Sequence, residues 1–309
     1  MRVGLFIPTV KATEWAREVL GGLSPAELPV GGKRLVEYNI EYCENNGFEM
    51  AEVLDWTYSA KVESRFADLT YFKLPVFYCR GTGPLPEGLD DLVNQPTPLT
   101  QSIGEGTSVL WGIGIATGAA PDEGVLEEVT PEGCAHTPAG MYRWRDGKWY
   151  RVANQTFTIE SVADWHAANM RVLNSPDSYN LPGYSAEKGV YLGRNVVMEH
   201  GTEAKAPVIL QDDVWCARNV RLEGNVVIGK RSFVSEGASL LRTVVCNDTY
   251  IGTGLEFEDK IVLGQRIIDA KSGTWTDVED PGMTRTLKEG RGVFARLWDF
   301  LRGNSRGRA

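Results

Sequence analysis

Proton transfer near neutral pH falls to three histidines in this chain, His136, His166 and His200. His136 stands in a Gly/Pro-rich stretch with no carboxylate within a few residues, and His166 lies inside a run that reads as helix. His200 is the best placed to act as a general base, two residues after an apolar position and therefore outward at a corner. Carboxylates cluster at Asp90-Asp91, Asp212-Asp213 and Glu256-Glu258-Asp259, spacings that suit solvated turns better than a metal site. Arg143-Trp144-Arg145-Asp146-Gly147-Lys148-Trp149-Tyr150-Arg151 alternates aromatic and basic residues around a two-residue turn signal. Such a hairpin is able to stack on a sugar and neutralise a phosphate, or simply to form a plain edge with its arginine stems lying flat. The five cysteines, Cys43, Cys79, Cys134, Cys216 and Cys246, are odd in number and include no C-x-x-C pair. They read as reduced thiols in a cytoplasmic protein, and no residue set is assigned to a metal.

The elements that carry these residues follow from two periods. From Leu192 an apolar or small residue recurs at every sixth position: Met198, Ala204, Leu210, Cys216, Leu222, Ile228, Val234, Leu240, Cys246. A second series runs four residues behind it, from Val196 through Val214 and Val226 to Tyr250. Two registers locked six apart fit neither a helix nor a flat sheet; they fit a parallel β-helix whose short sides each point one residue at the axis. Arg194-Asn195, Arg218-Asn219 and Gly224-Asn225 put Asn or Gly at the corners, and the frame slips by one near Tyr250 before Ile251, Phe257 and Leu263. The pattern resembles the hexapeptide-repeat left-handed β-helix, with three sides per coil and about four coils.

Ahead of it, residues 3–7 read as a buried strand, and a helix starting near Arg34 carries Val36, Ile40 and Cys43 on one face. Asn45-Asn46-Gly47 ends that helix, and Ala51-Glu52-Val53-Leu54 is the next strand, an order that opens a parallel α/β sheet. Leu28-Pro29-Val30-Gly31-Gly32-Lys33, followed by an apolar-Glu-Tyr helix, resembles the "LPVGGK" segment of the sugar-1-phosphate nucleotidylyltransferases, such as GDP-mannose and ADP-glucose pyrophosphorylases. Ile159 to Asn169 resembles the segment that closes their catalytic domain, and Gly81-Thr82-Gly83-Pro84-Leu85 resembles their nucleotide-side loop. The resemblance implies a short Rossmann-like domain over 1–155, a helical linker over 156–188, a left-handed β-helix over 189–270 and a tail over 271–309. It also implies substrate contacts at Gly31, Gly32, Lys33, Gly81, Thr82 and Gly83.

The same resemblance exposes what is missing. Nucleotidyl transfer needs its triphosphate held and its charge neutralised by backbone N–H groups, cations and Mg²⁺. The family's glycine-rich first loop is here Pro8-Thr9-Val10-Lys11-Ala12-Thr13-Glu14-Trp15-Ala16-Arg17, without a glycine. Pro25 stands where the family keeps a lysine. Of the two metal-holding aspartates, one falls in Val109-Leu110-Trp111-Gly112-Ile113-Gly114, which has no carboxylate, and Thr158 replaces the other. The domain therefore reads as degenerate: a non-catalytic accessory protein, scaffold or sugar-nucleotide sensor in a polysaccharide or cell-envelope sugar pathway. Regulatory subunits of the family supply the analogy. An active enzyme would have to rebuild its site from Lys11, Arg17 and Lys33 and take up Mg²⁺. A hexapeptide-repeat acyltransferase using His200 is the third alternative.

Composition bounds the rest. The 309 residues are 42% apolar with a net charge of −9, enough for packed cores and unsuited to nucleic acid as a partner. The start of the chain has no signal-peptide pattern, and no run is long enough to cross a membrane. From Arg285 to Ala309 seven basic and two acidic residues give +5, leaving −14 for the remainder. There Phe294, Leu297, Trp298 and Leu301 mark Val293–Arg302 as a short amphipathic helix. It suits its own β-helix flank, a protein groove or an anionic membrane surface, which would make a cytoplasmic protein membrane-associated. The β-helix itself is expected to support a homo-oligomer.

Overall fold

The computed structural model describes residues 2–57, 63, 71–93, 103, 105, 107–117, 125–153 and 156–287, in two units that divide between Tyr179 and Asn180. The tail segment Val293–Arg302 lies outside the described residues.

The first unit is built on a seven-stranded sheet. Its order is Val76–Arg80, Met50–Asp55, Val3–Ile7, Thr107–Trp111, Gly140–Arg145, Lys148–Val152 and Leu126–Glu128. The first four strands are mutually parallel, and the last three join antiparallel. Val3–Ile7 is buried at all five positions, as an unbroken apolar run in the middle of a covered parallel sheet must be. The helix Leu35–Asn45 lies between Val3–Ile7 and Met50–Asp55 in the chain and buries Val36, Ile40 and Cys43, the stripe its spacing predicts. Gly47 follows with φ +69, the left-handed stop expected there. The hairpin turn also forms as read, with Asp146 and Gly147 at φ +50 and +75. It does not border the sheet, however, because Lys148–Val152 is covered on its far side by Leu126–Glu128.

The helix read as a linker, Val162–Asn174, is part of this first unit. Ser161 caps it by accepting from Asp164 N, and Trp165 is fully buried with Nε1 donating to Pro29 O at 2.7 Å. Asn169 completes the attachment: Oδ1 accepts from Gly31 N at 2.8 Å while Nδ2 donates to Trp165 O and Pro29 O.

In the second unit the chain visits three parallel sheets in rotation, an arrangement compatible with a β-helix. Leu192, Leu210, Ile228, Val245 and Val262 stack in successive coils, as do Cys216, Val234 and Ile251, and Leu222, Leu240 and Phe257. Nearly all of these fill the coil's core. The first two steps are 18 residues long and the next two are 17. The frame therefore slips earlier than the sequence suggests, between Leu240 and Val245, and again between Phe257 and Val262. Arg242 and Asp259 take left-handed angles at those two corners, φ +44 and +53. Asn195, Asp213, Asn219, Asn225, Arg231 and Asp248 occupy the other left-handed corners. One coil apart, Arg231 clasps Asp248 at 2.6 and 2.7 Å, and Arg242 clasps Asp259 at 2.6 and 3.1 Å. Antiparallel strands stop the parallel ladder at both ends: Tyr184–Glu187 against Val190–Leu192, and Arg266–Asp269 against Lys260–Leu263.

Candidate functional site

In an open parallel sheet, ligands are met at the carboxyl ends of the strands, where the strand order reverses. Here that point lies at the end of Val3–Ile7, between Met50–Asp55 and Thr107–Trp111. The loop leaving Val3–Ile7 spends its backbone donors on itself and its neighbours. Val10 N donates to Thr13 Oγ1 (3.0 Å), Thr13 N to Val10 O (2.9 Å) and Lys11 N to Pro86 O (3.3 Å). The 3-10 turn Lys11–Thr13 thus closes where a phosphate cradle would need open amides.

Behind this loop is a polar knot that sequence reasoning missed. Asp55, fully buried, accepts from Thr9 Oγ1 (2.6 Å), Thr57 N (2.8 Å), Thr57 Oγ1 (2.6 Å) and Tyr78 Oη (2.7 Å). Thr9 Oγ1 in turn accepts from Trp56 N. Four donors satisfy the carboxylate, so it locks three strand ends together and has little left to offer a ligand. One feature was visible in the sequence, an acid closing an apolar strand, but its partners come from three separate segments. Glu52, three residues earlier, is also fully buried, and burial pushes its carboxyl up to about 7. The thiol of Cys79 beside it is pushed up to about 12 by burial and by that same carboxyl.

The sequence-predicted residues fall in separate places. Lys11 Nζ pairs with Glu87 Oε1 at 2.6 Å, an exposed pair that raises the Lys11 pKa and lowers that of Glu87. Arg17, on the short helix Glu14–Val19, is half-buried, and its Nε meets no hydrogen-bond partner among the described residues. Lys33 is turned into the fold: its side chain is 8% exposed, Nζ lies 2.6 Å from Glu41 Oε1 and 4.9 Å over the ring of Tyr38. Gly31, at φ +51, is pressed so closely on the helix Val162–Asn174 that a Cβ would come within 2.5 Å of Val172. Gly32 follows at φ +85. Gly31 to Lys33 therefore form a packing joint. At the other loop, Gly81 N donates to Asp55 O, and the Trp56 ring lies flat against it, where a Cβ would approach to 2.2 Å. Trp56 Nε1 donates to Thr82 O, while Gly83 is an exposed turn residue at φ +81.

The fold does bring together the two segments in which the resemblance implies metal ligands, 109–114 and Thr158. Thr156–Thr158 pairs antiparallel with Gly114–Ala116, with Thr158 directly opposite Gly114, and Ile159 N donates to Ile113 O at 2.9 Å. Neither position carries a carboxylate. Among the described residues no group of three His, Cys, Asp or Glu side chains could hold a metal ion.

The remaining candidates are dispersed. His136 is exposed, with Nδ1 3.7 Å from Glu87. His166 is buried in its helix. His200 is exposed in the first coil; the neighbouring Glu199 binds Trp215 Nε1 at 3.1 Å and Arg218 at 3.6 Å instead. Asp91 accepts from Glu87 N and Gly88 N as a turn cap, and Asp212 pairs with Arg194. In the hairpin, Trp149 is buried edge-on against Trp144, so the pair packs the core rather than offering a stacking surface.

No protein-family model matches the chain. Over 135 residues it is 27% identical to a UTP–glucose-1-phosphate uridylyltransferase from Synechocystis sp. (strain ATCC 27184 / PCC 6803 / Kazusa), covering 43% of this chain and 34% of the relative. The match thus spans about a third of that curated relative's length. The similarity is distant and partial, and it reaches sugar-phosphate nucleotidyltransferases as a class and no further.

Proposed function

We propose that this protein is a nucleotidyltransferase-like accessory protein of a polysaccharide or cell-envelope sugar pathway, acting as a scaffold or a sugar-nucleotide sensor without transferring nucleotidyl groups. The observation that carries this reading is the pairing of Gly114 with Thr158. The sheet is intact where divalent metal would be held, and the side chains there bear no charge. The occupied amides of the first loop and the Lys33–Glu41 pair support it, because a triphosphate would meet neither open donors nor a spare cation at 33. The partial similarity to a uridylyltransferase supports the sugar-nucleotide class of ligand.

A thermal-shift panel with nucleoside triphosphates, nucleotide sugars and acyl-CoA, each with and without Mg²⁺, tests the reading. Stabilisation by a nucleotide sugar that is independent of Mg²⁺ is the result expected of a sensor. No shift with any ligand is the result expected of a scaffold. A Mg²⁺-dependent shift with one triphosphate, together with pyrophosphate release, overturns the reading in favour of an enzyme rebuilt on Lys11 and Arg17. Stabilisation by acyl-CoA overturns it in favour of acyl transfer at His200.

A further inference from the structure

Along one face of the coil, the residues that alternate with the core point outward, and three of them are aromatic. Trp215, Phe233 and Tyr250 stand in register on successive parallel strands, between the inward residues Val214 and Cys216, Ser232 and Val234, and Thr249 and Ile251. Their rings stack, with centroids 6.4 Å apart at 22° and 5.8 Å apart at 12°. Arg285, opposite Tyr250 on the antiparallel strand Thr284–Thr286, lies 4.6 Å over the tyrosine ring and ends the row. Phe233 points away from the coil axis yet keeps only 9% of its surface exposed.

We infer that this aromatic row is the docking surface for the chain's own segment Val293–Arg302. The chain leaves the described residues beside the row: Leu287 is buried, and its N donates to Asp248 O, two residues from Tyr250. Residues 288–292 then span at most roughly 17 Å, enough to carry residue 293 onto the row. From Phe294 to Leu301 a helix rises about 10 Å, and the three stacked rings extend about 12 Å from first centroid to last. Phe294, Leu297, Trp298 and Leu301 share one helical face, so one face of matching length meets one row of rings. Charge agrees. Residues 180–284 hold 15 acidic and 11 basic side chains, a net of −4, whereas 285–309 carry +5. A membrane surface or a second copy of the chain would be a different occupant.

Hydroxyl-radical footprinting of the full chain reads the rings directly. Wild type is compared with Leu297→Asp/Trp298→Asp, substitutions that lie outside the coil and so leave its folding alone. The expected result is a several-fold faster oxidation of Trp215, Phe233 and Tyr250 in the variant, with Trp275, 39% exposed in the same unit, unchanged. Equal rates in both proteins overturn the inference. Protection of the row that grows with protein concentration overturns it in favour of a second copy. Co-flotation of wild type with phosphatidylserine vesicles, with the row insensitive to the substitutions, overturns it in favour of a membrane. Each outcome is read without nucleotide, so failure here is distinct from failure of the proposed function.

Discussion

Lys33 illustrates how a residue's role is set by partners that the local sequence does not reveal. Its motif resembles a sugar-side cation, but Glu41 reaches back from the helix Leu35–Asn45 and takes the charge. Because Lys33 is 8% exposed, removing its partner strands a cation in a poorly hydrated place. Glu41→Gln is expected to cost on the order of 2 kcal/mol in urea unfolding, and Lys33→Met/Glu41→Leu together to cost less than the single change. Glu52 gives a second test. Its carboxyl is raised to about 7 in the folded protein, against an ordinary value of 4.5. The folded state therefore holds a proton that the unfolded state releases, and stability falls as pH rises through that window. Above it the loss amounts to up to about 3 kcal/mol. Glu52→Gln should flatten this dependence, so the unfolding midpoints of variant and wild type diverge between pH 5 and 8. Sequence alone marked Glu52 as a strand residue; that among the described residues it meets little but the Cys79 thiol follows from strands that close around it.

At the scale of elements, much was legible because period and punctuation agree. The helix Leu35–Asn45, its left-handed stop at Gly47 and the Asp146-Gly147 turn all form where their residues ask for them. The passage of the second unit through parallel sheets in rotation was legible for the same reason, but the position of its slip was not. Val245 and Cys246 are both apolar, as are Val262 and Leu263, so a one-residue shift leaves the six-residue pattern readable in either frame. Only the pairing of Ile228 with Val245 decides it. The corners make a prediction: Asn219 at φ +57 tolerates Gly, whereas Asn219→Ala should cost about 1 kcal/mol in thermal unfolding. Asn169 makes another, since it anchors the helix Val162–Asn174 to residues 29–31 by two hydrogen bonds. Asn169→Ala leaves buried Gly31 N without its acceptor, and a loss of about 2 kcal/mol is expected in chemical denaturation. Of the candidate site, the missing carboxylates at 109–114 and at Thr158 were legible, but the pairing that joins the two segments was not; nor was the Asp55 knot, because Thr9, Thr57 and Tyr78 are spread over 70 residues of chain.

For the molecule as a whole, the coil has no inherent length. Each turn touches only the turns above and below, and what fixes their number is the pair of antiparallel strands that end the ladder. Repeating the 18 residues from Val208 to Asn225 in tandem should add one rung of about 4.8 Å and leave both ends undisturbed. Such a protein is expected to melt no lower than wild type in a calorimeter, whereas a nine-residue insertion at the same place turns core residues toward water and should aggregate. The gene can thus lengthen this unit only in whole turns. A one-residue shortening is accommodated at an outward corner, as in the turns that carry Arg242 and Asp259. Size in this half of the protein changes in discrete steps, and each of the two short turns is one residue's departure from that rule.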